Sequence, residues 1–103
     1  MRIGLSYDLR LAADGGDRAD YFEEALEQIA WADRAGIAGV TLLEHHGTAD
    51  GYLPSPAVFG GAVAARTQRI ALSMMLIAPF HDPLRMAEDL AVLDILSRGR
   101  LSV

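Results

Sequence analysis

The chain has 103 residues, 51% of them hydrophobic, which is enough for one core and too few for two ordinary domains. Its formal charge of −5 is carried with nine arginines and no lysine, and the arginines are scattered, so there is no basic patch of the kind that grips a phosphate backbone and nucleic acid is not an expected partner. Zero cysteines exclude disulfides, thiolate metal sites and cysteine nucleophiles, and no apolar stretch approaches the roughly 18 residues of a membrane span; the expectation is a soluble chain of the cytoplasm with no membrane partner.

Ile3 to Tyr7 is a short apolar run ending at Asp8, a first strand, and Leu9 to Ala19 with its Gly15-Gly16 pair reads as a loop. Asp20 followed by Glu23 has capping-box spacing. Phe22, Leu26, Ile29 and Ala30 then recur at helical intervals until Gly36, which supplies a C-terminal stop. Ile37 to Leu43 is a second strand and His46 to Leu53 a second loop. Ser55-Pro56 starts a helix with serine as cap and proline at its first position, and the small residues from Ala57 to Ala65 let that helix approach a sheet closely. Ile70 to Ala78 is a third apolar run, ended by Pro79. Asp82-Pro83 repeats the cap-plus-proline start, and Met86, Leu90 and Leu93 mark a helix that stops near Gly99. Arg98 and Arg100 sit at that helix end, where positive charge complements the dipole, and Arg100 to Val103 begins a fourth strand.

The order β-α-β-α-β-α-β requires parallel strands joined by right-handed crossovers, as in a doubly wound sheet or a (β/α) barrel. No GxGxxG or Walker pattern follows any strand, so the dinucleotide and P-loop versions lose ground. A complete (β/α)8 barrel takes about 250 residues, so 103 supply only about half of one. Four strands of that kind would leave two open sheet edges and an exposed apolar face, which invite self-association into a homo-oligomer.

The segment Gly39 to His46, GVTLLEHH, carries the chemistry. An apolar strand ends there in Glu44, His45 and His46, on the face where parallel α/β folds place their sites. An imidazole at such a strand end can serve as general acid or base, which makes His45 the leading catalytic candidate. Glu44 and His45 are adjacent and so point to opposite sides, while Glu44 and His46 share a side if the strand persists. A metal held by His45, His46, His81 and a carboxylate is disfavoured, because HH lacks the HxH or HExxH spacing that puts two ligands on one face. His81 reads as a loop residue, Asp8 as a solvated one, and Met74-Met75 as core or as a soft wall for a flat ligand.

GVTLLEHH, LPSP opening a helix, AARTQRI leading into the third strand, and HDPLRMAEDLAVLDILSRGRL after AP together resemble the bacterial-luciferase-like flavin-dependent monooxygenase family, over essentially the whole chain. The resemblance implies that residues 1–103 form the N-terminal half of a (β/α)8 barrel domain. It also implies that a complete form binds reduced FMN, or in a related branch a deazaflavin, at the C-terminal face. Oxygen adds to the reduced flavin, and the flavin hydroperoxide oxidises a small organic substrate; a flavin reductase is the implied partner that supplies the reduced cofactor. By motif, the first histidine of EHH is the catalytic one, here His45, with Glu44, Met74 and Met75 beside the cofactor. In that family the third-strand motif contains a non-proline cis peptide, which falls on Met74-Met75 and costs about 2.5–4 kcal/mol relative to trans. The family's flavin-phosphate contacts follow the fourth strand, beyond Val103. Two further readings stay open at this level: a deazaflavin-dependent oxidoreductase of the same fold, and a non-catalytic, self-associating half barrel.

Overall fold

The computed structural model describes all of residues 1–103. Its elements are β1 (Gly4–Tyr7), α1 (Arg18–Ala35), β2 (Gly39–Leu43), α2 (Pro56–Arg66), β3 (Ala71–Met75), a 3-10 turn (Ala78–Phe80), α3 (Pro83–Ser97) and β4 (Leu101–Ser102). All strand pairs are parallel, and the order across the sheet is β1-β2-β3-β4. Each strand therefore lies beside the next in sequence, with no reversal of order. That excludes the doubly wound alternative, whose strand order reverses at a switch point, and leaves a partial (β/α) barrel.

Alternation along the strands separates two faces. Val40 and Leu42 of β2 and Leu72 and Met74 of β3 are buried against the helices, in one core with Leu26, Ile29, Phe59, Val63 and Leu93. The opposite face carries rows in register: Gly4, Gly39 and Ala71; then Ser6, Thr41, Ser73 and Ser102; then Leu43 and Met75. The open side of the sheet is floored by small and hydroxyl-bearing residues up to the Leu43–Met75 row, where Met75 is exposed, and a second set of exposed apolar side chains, Val92, Ile95 and Leu96, lies on α3.

Both proline starts hold, α2 at Pro56 and α3 at Pro83, but only Asp82 caps with its side chain, accepting from the Arg85 N–H; Ser55 precedes α2 without a side-chain cap bond. The start of α1 differs. Its cap is Asp17, accepting from the N–H groups of Ala19 and Asp20, so the helix gains a turn before the expected Asp20. Glu23 is then free of capping duty and forks onto Arg66 of α2 at 2.6 and 2.9 Å. The third strand stops at Met75 rather than running to Ala78, because the N–H of Ile77 turns to the Glu44 carboxylate.

The N-terminal ends of the strands are fastened by two polar clasps, one buried and one half-buried. Asp33 of α1 accepts from the N–H groups of Gln68, Arg69 and Ile70, holding the turn that enters β3. Arg100, expected only to complement a helix dipole, donates to the carbonyls of Ala64, Thr67, Ile70 and Ser97, and so closes the C-terminal ends of both α2 and α3. These clasps lie at the face that serves stability in (β/α) folds, which leaves the other face for chemistry.

Candidate active site

At the C-terminal end of β2 the chain leaves the sheet at Glu44, whose N–H still bonds to the Met75 carbonyl of β3. The Glu44 side chain has no exposed surface. A buried carboxylate requires donors, and four contacts supply them. His46 Nε2 lies 2.6 Å from Oε1, His81 Nε2 lies 2.9 Å from both oxygens, and the Ile77 N–H donates to Oε2 at 2.6 Å. Burial alone would push the Glu44 carboxyl up. The hydrogen bonds from His81, His46 and Ile77, with the charge of His81, outweigh it and hold the group below the usual carboxylate range.

His45 takes no part in this cluster. Its ring packs on Tyr52 with centroids 4.2 Å apart, and its N–H bonds to the Leu53 carbonyl. Tyr52 in turn lies beneath the Arg10 guanidinium at 4.7 Å, and Arg10 is forked onto Asp50 at 2.6 and 2.9 Å. Backbone bonds from Leu11 to Asp50 and from Leu53 to Asp8 zip the loop after β1 to the loop after β2. Three layers from two loops therefore hold one imidazole in place.

The expected site residues thus fall into two groups. Glu44 and His46 share a side, as alternation requires, and His45 lies apart from them. Glu44 was expected beside the cofactor; its carboxylate is instead enclosed, with its acceptor sites occupied by side-chain and backbone donors. Met74 was expected there too, but its side chain is buried under Gly60 on the helix side, and it is Met75, 63% exposed, that faces the open side. The Met74-Met75 bond is trans, contrary to the expected cis peptide, since the chain contains no cis bond and both residues pair in regular register with Leu42 and Leu43. Asp8 accepts from the Arg10 N–H at 3.3 Å and lies in the loop zipper rather than in free solvent.

His81, expected only as a loop residue, joins Glu44, and Tyr52 and Arg10 enter the site without having been singled out in the sequence. For His81 a signal existed: it follows β3, the neighbour of β2, so in a parallel sheet its loop must rise beside Glu44. For Tyr52 and Arg10 there was none, because stacking between two irregular loops leaves no periodicity. No group of three or more His, Asp or Glu side chains is arranged to hold a metal ion. The two imidazoles that meet at Glu44 spend their Nε2 positions on its carboxylate.

The open side of the sheet presents Leu43 and the exposed Met75 as an apolar, polarizable pair, with Thr41 and Ser73 one row below.

The profile of the luciferase-like monooxygenase family matches residues 1–103. Limonene 1,2-monooxygenase of Rhodococcus erythropolis is 43% identical over 77 residues, covering 74% of this chain and 20% of that protein. The oxygenase component of the flavin-dependent trigonelline monooxygenase of Acinetobacter baylyi is 29% identical, with 100% of this chain and 29% of that protein covered. Among solved structures, monooxygenase RslO1 from Streptomyces bottropensis superposes with a TM-score of 0.91 at 35% identity, over 100% of this chain and 32% of that one. The oxygenating constituent of 3,6-diketocamphane monooxygenase of Pseudomonas putida, in complex with FMN, has the same fold, with a TM-score of 0.88 at 23% identity over 100% of this chain and 28% of that one. The chain spans about a fifth to a third of the length of these relatives.

Proposed function

The chain belongs to the luciferase-like monooxygenase family, and from that premise we propose that its open rim forms one wall of a site where reduced FMN and oxygen oxidise a small organic substrate. The observation that carries this reading is the position of His45. It is an imidazole just past the C-terminal end of β2, outside the Glu44 cluster, held by the Tyr52 ring and by its own backbone bond to the Leu53 carbonyl.

Each residue has a separate task in this reading. A bound reduced flavin supplies the electrons that activate dioxygen. Met75 and Leu43 receive the flat ring, and burying their apolar surface expels water from that side of it. His45 holds or accepts a proton at a ring nitrogen close to the reacting groups, and Tyr52 with Arg10 limits the tilt of that ring. Glu44 and Met74 act from behind the rim. A separate reductase delivers the reduced cofactor, a partner suggested by the description of the trigonelline relative as an oxygenase component.

The test is to supply reduced FMN or a reduced deazaflavin to a form that also carries the barrel segments following the fourth strand, and to follow oxygen uptake. Oxygen-dependent turnover with reduced FMN supports the proposal. Hydride transfer with the deazaflavin alone sinks the monooxygenase assignment and moves the chain to the deazaflavin branch of the same fold.

A further inference from the structure

We infer that Glu44 is a positioning residue that fixes the Nε2–H form of both His46 and His81, and that through them it clamps the turn after β3 onto the end of β2. The inference deepens the proposed function and rests on it for its catalytic consequence, although the clamp itself can be measured without any flavin.

The ring nitrogens identify the proton positions. An ionised carboxylate is an acceptor only, so every nitrogen within hydrogen-bond reach of Glu44 must carry a hydrogen. Both imidazoles approach through Nε2, His46 at 2.6 Å and His81 at 2.9 Å to each oxygen. Each ring therefore keeps Nε2–H against the carboxylate and turns Nδ1 away from it. The same carboxylate receives the Ile77 N–H, and the Phe80 ring meets the edge of His46 at a centroid distance of 4.8 Å. Three points of the 77–81 segment are thus fastened to the EHH segment, the Ile77 N–H and the His81 ring through the Glu44 carboxylate and the Phe80 ring through His46.

The geometry has a consequence for the rim. Ile77 is two residues beyond Met75, and the Glu44 N–H bonds to the Met75 carbonyl. The exposed Met75 step and the His45 imidazole consequently stand on segments that Glu44 ties together from opposite sides. No arginine reaches this carboxylate; its partners are the two imidazoles and one amide. A glutamine at position 44 would aim an NH2 at groups that are themselves donors, so the clamp depends on the anion and not merely on a polar side chain of that size.

The chain has three histidines, so their ring nitrogens can be assigned individually in long-range 1H–15N spectra, with His46→Gln and His81→Gln identifying the two resonance sets. The expected result in the unsubstituted protein is protonated Nε2 on both His46 and His81. A proton on Nδ1 with bare Nε2 at either ring would overturn the inference regardless of any activity. In Glu44→Gln both rings are expected to lose that preference, and turnover to fall roughly 10-fold or more with substrate KM nearly unchanged, as for other residues that orient a site from behind. Glu44→Asp, which keeps the anion, should restore part of the tautomer signature and part of the turnover; should Glu44→Gln fail to fold, the unsubstituted spectra and Glu44→Asp still decide. Unchanged tautomers and turnover in a folded Glu44→Gln protein would also overturn it. Failure to bind reduced FMN with the Nε2–H signature intact would count against the proposed function and leave the clamp standing.

Discussion

Gly60 and Gly61 are adjacent in α2, yet the same change to alanine is expected to act in opposite directions at the two positions. In a helix interior alanine is favoured over glycine by about 1 kcal/mol. At Gly61 a new Cβ meets nothing within 4 Å, so most of that gain is realised and Gly61→Ala should stabilise by roughly 0.5–1 kcal/mol. At Gly60 the Cβ runs into the end of the Met74 side chain, with Leu93 Cδ2 at 3.2 Å and Leu42 Cδ1 at 3.6 Å behind it. Met74 is itself in the core, and overpacking such a site costs about 1–3 kcal/mol, which exceeds the propensity gain and leaves a net loss of roughly 1 kcal/mol. The pair can be read by urea unfolding followed by circular dichroism. A double-mutant cycle isolates the cause: in a Met74→Ala background the main obstruction is gone, only Leu93 Cδ2 at 3.2 Å has to give slightly, and Gly60→Ala should lose most of its destabilising effect. Equal effects of Gly60→Ala in the two backgrounds would refute close packing of α2 on β3 as the reason for this glycine.

Three further outcomes are expected. His45→Ala should lower turnover by about 100-fold or more while the affinity for reduced FMN changes little, and unchanged turnover would remove His45 from catalysis. Tyr52→Phe should retain the ring stack and most of the activity, whereas Tyr52→Ala should lose both the stack, worth about 0.5–1.5 kcal/mol, and turnover; indistinguishable kinetics for the two variants would remove the stack from the account. Asp33→Asn should destabilise by roughly 2–3 kcal/mol near pH 7, because an amide cannot accept from three N–H groups without turning a donor toward one of them. Burial pushes the Asp33 carboxyl up, but the N–H groups of Gln68, Ile70 and Arg69 and the charge of Arg69 hold it below its ordinary value of 3.8. With the folded value below the unfolded one, this stabilisation is complete above the unfolded value and is lost as pH falls through the folded one. The gap between wild type and Asp33→Asn in urea midpoints should therefore narrow on acidification toward pH 3, and a gap that widens would contradict the assigned donors.

Much of the fold was legible because it rests on local chemistry and periodicity. The Ser55-Pro56 and Asp82-Pro83 starts, the αL stop at Gly36 and the apolar strands each announce themselves within a few residues. Asp17 was overlooked as a cap because Asp20 with Glu23 offers the same spacing, and only the ion pair to Arg66 shows that Glu23 is engaged elsewhere. The site was half legible. Alternation separated His45 from Glu44 and joined Glu44 to His46, but the partnership with His81 crosses from one strand end to the next, and the Arg10–Tyr52–His45 stack is built from loops without pattern. Which of Met74 and Met75 faces the open side was not legible for a related reason. A run as uniformly apolar as IALSMMLIA does not declare which of two adjacent methionines faces the helices, and the register with Leu42 decides it.

The most direct test of the central claim is an anaerobic titration of the protein with reduced FMN, followed by admission of oxygen, run in parallel with His45→Ala. Binding of reduced FMN by both proteins, with oxygen-dependent substrate oxidation only in the one that retains His45, is the expected result. Equal oxidation by the two, or turnover confined to a reduced deazaflavin, would contradict it.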